Sequence, residues 1–180
     1  MLMTTSPTIR LRLTTLADIP TIQAIYAHHV LHGTATFEED APSVEEMERR
    51  FHQITNNGYP YIVAEYEGKV CGYAYLGVYR TRRAYRFTTE NSIYVDKDYA
   101  GKGIGDALLK ELIRLAENGP WRLIIAVTTG DNSASIHLHK KHGFTLVGTE
   151  PGTGFKFGRW IDTVLMYKQI NGGNSTLPEG

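Results

Sequence analysis

Residues 87–117 constrain the fold more than any other part of this chain, because they read as a strand, a glycine-rich loop and a helix in immediate succession. The strand is expected over 87–95. After it, D-K-D-Y-A-G-K-G-I-G leads into a pattern with Ala107, Leu108, Leu112, Ile113, Leu115 and Ala116 at helical spacing. Gly101, Gly103 and Gly105 therefore stand at a helix N-terminus, where unpaired N–H groups and the helix dipole favour an anion and glycine lets backbone approach it closely. A plain glycine-rich turn is the alternative. Three other phosphate loops do not fit: Gly101-Lys102 is followed by Gly103 rather than Ser or Thr, the spacing is not GxGxxG on a first βα unit, and HRD and DFG are absent.

The flanking pattern alternates strands and helices. Strands are expected over 8–13, 61–65, 70–78, 123–127, 145–148 and 163–167, with Glu67-Gly68 turning a hairpin and a glycine-rich segment, 152–158, separating the last two. Helices are expected from Asp18-Pro20 to about residue 31, from Ser43 to Asn57-Gly58, and over 133–142. Mixed order with a central hairpin predicts an α/β (α+β) fold, a mixed sheet with helices on both faces. One domain over 1–170 and a mobile tail over 171–180 are expected.

Charge narrows the partners. Lys plus Arg and Asp plus Glu both number 19, so the net charge is zero and no bulk positive field favours nucleic acid. No apolar run reaches the length of a membrane span, and the lone Cys71 cannot form an internal disulfide; a cytoplasmic protein is expected. His137, His139 and His142 share no helix face, and His28 and His32 lack a third ligand, so no metal is expected. Cys71, in an apolar strand, reads as core.

The glycine loop is followed by N-S-A-S-I-H-L-H-K-K-H-G-F, with Asn132, then His139 seven positions on, then Gly143-Phe144. The two segments together resemble the GNAT acetyltransferase superfamily over about residues 8–170, with Ala100 where the family usually has Gln or Arg. The resemblance implies a mostly antiparallel sheet and acetyl-CoA as co-substrate, held by Tyr94, Val95, Gly101, Lys102, Gly103, Ile104, Gly105, Asn132 and Ser135.

Arg80, Arg82, Arg83 and Arg86 are interleaved with Tyr79 and Tyr85. A solvated basic edge is the plain reading, while guanidinium forks suit a carboxylate-bearing acceptor. Y-R-T-R-R-A-Y-R-F-T-T-E, with T-A-T-F-E-E at 34–39 and G-F-K-F-G-R-W at 154–160, resembles the phosphinothricin and methionine sulfoximine acetyltransferase branch. That implies a homodimer acting on a small-molecule amine. Thr34, Phe37, Arg80, Arg82, Tyr85 and Lys156 would contact the acceptor, and 156–160 would come from a partner subunit. Glu90 is the expected base, with an exposed strand Glu as the alternative. His139 stands where many members carry Tyr, and is expected to be the acid or else a structural His. Other amine acceptors, a protein N-terminus and a non-catalytic acyl-CoA-sensing module remain open.

Overall fold

A computed structural model describes residues 8–178. Residues 1–7 of the expected domain and 179–180 of the expected tail lie outside the described residues. The elements are β1 (Ile9–Leu13), α1 (Ile19–His32), α2 (Val44–Asn56), β2 (Tyr61–Tyr66), β3 (Lys69–Val78), β4 (Thr88–Val95), α3 (Ile104–Glu117), β5 (Leu123–Thr129), α4 (Ser133–Lys141), β6 (Thr145–Lys156) and β7 (Arg159–Gln169). Seven strands form one sheet in the order β1-β2-β3-β4-β5-β7-β6, antiparallel throughout except between β4 and β5. Mixed α/β architecture is thus present, with α1 and α2 on one face and α3 and α4 on the other.

Strand alternation splits the core in two. Ile62 and Ala64 of β2 pack against Ile104, Leu108, Leu109 and Leu112 of α3, while Tyr61 and Val63 pack against Ile22, Ile25 and Val30 of α1 and Met47 and Phe51 of α2. Burying each such Leu or Ile contributes about 1.5–3 kcal/mol. Gly72 on β3 permits the α3 contact, since a Cβ there would stand 2.9 Å from Ile104. The start of α1 is fixed by Asp18, which accepts from the Thr15 N–H and Oγ1 and takes a forked Arg12 guanidinium at 2.7 and 2.8 Å. The guanidinium holds the Asp18 carboxyl down at a pKa of about 2. Ser43 caps α2 by accepting from the Glu46 N–H.

The C-terminal hairpin departs from expectation. Segment 152–158 is mostly strand: β6 runs to Lys156 and turns through Phe157 and Gly158, both at positive φ, into β7. Register shifts at Leu146/Gly148 and Glu150/Gly154 absorb the glycines and Pro151, which an edge strand tolerates because one side of it has no ladder to break. Past β7, Arg122 donates to Thr176 at 2.7 Å and to the Leu177 carbonyl. Among the described residues no helix is long and apolar enough to cross a membrane.

Candidate active site

The cleft originates in a short register. β4 and β5 pair only from Thr88↔Leu123 to Glu90↔Ile125, whereas β4 stays on β3 as far as Val95 and β5 stays on β7 as far as Thr129. Above Glu90 the two parallel strands part. The opening is a cleft of about 730 Å³ lined by residues 90–95 of β4, 127–129 of β5, the glycine loop, α4, and residues 34–37 after α1. That volume suits a sizeable organic ligand.

At one end lie the backbone donors of α3. Gly103 is the N-cap residue, at φ 80° and ψ 8°, and Gly101 also has positive φ; a side chain at either would be strained. Among the described residues no side chain caps the helix, and its first turn lines the cleft. Gly105 matters for a different reason: Leu138 of α4 stands 3.4 Å from where its Cβ would be. Ile104 is buried in the core, so only its backbone can serve a ligand. Lys102 lies outside the cleft lining, its ammonium 5.0 Å from the Tyr66 ring centre and 5.9 Å from that of Tyr99. Asn132 Oδ1 accepts from the Ser135 N–H and starts α4, and both residues line the cleft. A chain of amides with no added charge fits a diphosphate.

Toward the middle, Glu90, Ser92 and Tyr94 face the α1 side, where Tyr94 packs edge-on to Tyr26 and stacks on Tyr73. Desolvation raises the Glu90 carboxyl above its ordinary pKa, and among the described residues no hydrogen bond or ion pair offsets it. Tyr75 stands across the ladder from Ser92. On the opposite side of β4, Asn91 Nδ2 donates to His139 Nε2 at 2.9 Å, and His139 Nδ1 donates to the Ser135 carbonyl at 2.8 Å. These contacts define the neutral Nδ1–H tautomer. Burial lowers the His139 pKa further, and the ring meets Phe144 edge-on.

His139 sits in the cleft wall with both of its ring nitrogens already engaged. Its geometry favours the structural alternative over an acid: it ties α4 to β4 one residue above the point where the ladder stops. Asn91 Oδ1 is left buried without a partner. His29 of α1 also lines the cleft and donates Nε2–H to the Val95 carbonyl at 2.8 Å. A histidine on an otherwise apolar helix face was the available signal.

The acceptor-side expectations divide. Thr34 and Phe37 line the cleft, with Thr34 Oγ1 donating to Asp131 at 2.9 Å. Lys156 does not line it: the side chain is 2 % exposed, and its ammonium donates to the Gly33 and Thr36 carbonyls of its own chain, both at 2.9 Å. The expectation that Lys156 touches the acceptor from a partner is corrected accordingly, since β6 carries it inward beneath residues 33–36. Arg80, Arg82 and Tyr85 belong to the exposed segment 79–86 outside the cleft, where Arg80 lies 5.0 Å from the Tyr79 ring centre and donates to Tyr85 Oη. Among the described residues no group of three His, Cys, Asp or Glu could hold a metal ion. Cys71 is buried in the core, its thiol pushed up to about 11.

Comparison with known proteins adds independent information. A family model described as an acetyltransferase (GNAT) domain matches residues 11–165. The chain is 53% identical over 163 residues to phosphinothricin N-acetyltransferase of Alcaligenes faecalis, covering 90% of this chain and 83% of that protein. It is 37% identical to the L-methionine sulfoximine/L-methionine sulfone acetyltransferase of Salmonella typhimurium, over 86% of this chain and 91% of the relative. Among solved structures, a phosphinothricin acetyltransferase from Sinorhizobium meliloti in complex with AcCoA superposes with a TM-score of 0.94 at 48% identity, covering 96% of this chain and 94% of that one.

Proposed function

The chain belongs to the GNAT acetyltransferases, and from that premise we propose that it transfers the acetyl group of acetyl-CoA to the amino group of a small amino-acid analogue of the phosphinothricin or methionine sulfoximine type. The observation that carries this reading is the single cleft that joins the uncapped α3 N-terminus to Glu90 and to the 34–37 wall. The relatives named for those two acceptors, and the neighbour solved with AcCoA, support it.

The residues divide the work. Amides from Gly101 to Gly105 hold the diphosphate, and the parted edges of β4 and β5 receive the pantetheine arm, with Tyr94 and Val95 alongside. Acetyl-CoA supplies an activated acyl group on a thiol leaving group. Glu90 takes the proton from the amine as its nitrogen attacks the thioester carbon; the C–N bond forms, the C–S bond breaks, and the thiolate leaves with the electron pair, to be protonated from solvent. An α-amino group of pKa about 8 is mostly ammonium at neutral pH, so a base has work to do. Glu90 suits the task because burial has moved its pKa toward the working range.

Arg80 and Arg82 reach the acceptor carboxylate from a second copy in this reading. Their exposure outside their own cleft supports it, as do the exposed aromatics Phe155, Phe157 and Trp160 at the hairpin tip. The solution mass measured by light scattering is then that of a dimer. Acetylation of a toxic analogue would confer resistance to it, as with a herbicide of this class, and the buried lone thiol supports a reducing cytoplasmic setting.

The direct test is thiol release from acetyl-CoA in the presence of phosphinothricin, methionine sulfoximine or a polyamine. Release with the two amino-acid analogues and little with the polyamine is expected. A preference for the polyamine overturns the acceptor class, and binding of acetyl-CoA without release to any amine makes the chain a sensor.

A further inference from the structure

A buried ammonium is expensive, and the chain keeps one at Lys156. The side chain is 2 % exposed, makes no ion pair with a carboxylate among the described residues, and feels Glu39 and Glu38 only at longer range. Its Nζ finds two carbonyls, those of Gly33 and Thr36, and the Phe157 ring centre at 5.1 Å. Taking such a charge out of water costs several kcal/mol unless a specific arrangement repays it. The two carbonyls bracket Thr34 and Ala35, so one side chain fixes both ends of the segment that walls the cleft.

Two neighbouring features hold the same segment. The Phe37 ring lies on Gly154, two residues before Lys156, so closely that a Cβ there would come within 2.3 Å of it. Asp131 accepts from Thr34 at 2.9 Å and from Arg159 at 2.5 Å, which links the segment to the far side of the hairpin turn. Of these links only the Lys156 contact combines a buried charge with backbone carbonyls, which set main-chain position rather than one rotamer.

We propose that Lys156 is a positioning residue for acceptor recognition: its ammonium anchors residues 33–37 to the β6–β7 hairpin in the shape that receives the acceptor, without touching acceptor or acetyl-CoA. The proposal rests on the reading that 34–37 is the acceptor wall. It also joins the K-F-G-R-W end of the chain to T-A-T-F through a contact inside one subunit.

The experiment compares the full-length wild type with Lys156→Met, which keeps the length of the stem and removes the donors. In the variant, the acceptor KM should rise about tenfold with acetyl-CoA affinity within about twofold of wild type. Amide exchange across 33–38 should accelerate by about tenfold, while the α3 and β5 peptides are unchanged. An unchanged acceptor KM with unchanged exchange overturns the proposal, as does an equal loss of acetyl-CoA affinity. If Lys156→Met does not fold, Lys156→Gln decides the matter by removing the charge while keeping a donor: it should raise the acceptor KM and leave acetyl-CoA binding alone, and no change in that KM refutes the anchoring role. If the wild type acetylates no amino-acid analogue, the functional reading fails, while the exchange measurement still tests the anchor.

Discussion

Replacing Glu90 by Gln lowers kcat by about 10²–10⁴-fold while the dissociation constant for acetyl-CoA stays within about twofold, because a general base acts on the amine proton and not on the diphosphate. The two side chains have the same shape, so packing against the α1 side survives. The pH dependence adds a sharper criterion. Burial raises the Glu90 pKa and stabilises the protonated, inactive form, so kcat/KM falls as the pH drops through that raised value and recovers above it. A second rise, toward about pH 8, belongs to deprotonation of the acceptor amine itself. Glu90→Gln removes the first limb and keeps the second. If the variant retains both limbs and wild-type turnover, Glu90 is not the base. His139 offers no substitute, since Nδ1 and Nε2 are both committed and its pKa is pushed down rather than up.

Gly103→Val is expected to weaken acetyl-CoA binding on the order of a hundredfold, about 3 kcal/mol. At φ 80° a β-branched residue is strained, and relief comes only by rotating the peptide units that aim the α3 amides into the cleft. The acceptor end lies away from this change, so residual turnover at saturating acetyl-CoA should approach the wild-type rate. Calorimetric titration with CoA checks the affinity. A constant within twofold of wild type would show that the diphosphate is held elsewhere.

What the letters disclose depends on how far apart the partners lie. The glycine loop is legible because strand, loop and helix start are adjacent, and their chemistry follows from backbone geometry alone. Glu90 is legible as a strand residue leading to that loop. Lys156 is not, since its two carbonyl partners are 123 and 120 residues away, and the resemblance alone assigned it to the acceptor. His139 could be placed in the cofactor segment, but its commitment to Asn91, 48 residues upstream, needed three dimensions. The misread at 152–158 has another cause: bulges on an edge strand erase period-two alternation, and glycines that permit close packing, such as Gly154 beneath Phe37, look like loop glycines. The arginine segment was equally visible, but a single chain leaves it facing outward.

The short register between β4 and β5 also bears on how the chain assembles. β1 to β4 lie in the sheet in chain order and pair through antiparallel neighbours, while β5, β7 and β6 form a second antiparallel platform, and only three residue pairs stitch the two together. That junction is parallel, so it is bridged by the α3 crossover rather than by a tight turn. A ligand lying between the platforms binds only after they have met. Acetyl-CoA should therefore slow the parting of the two halves and raise the thermal midpoint in proportion to the logarithm of its concentration, making the co-substrate a reporter of whether the junction has formed.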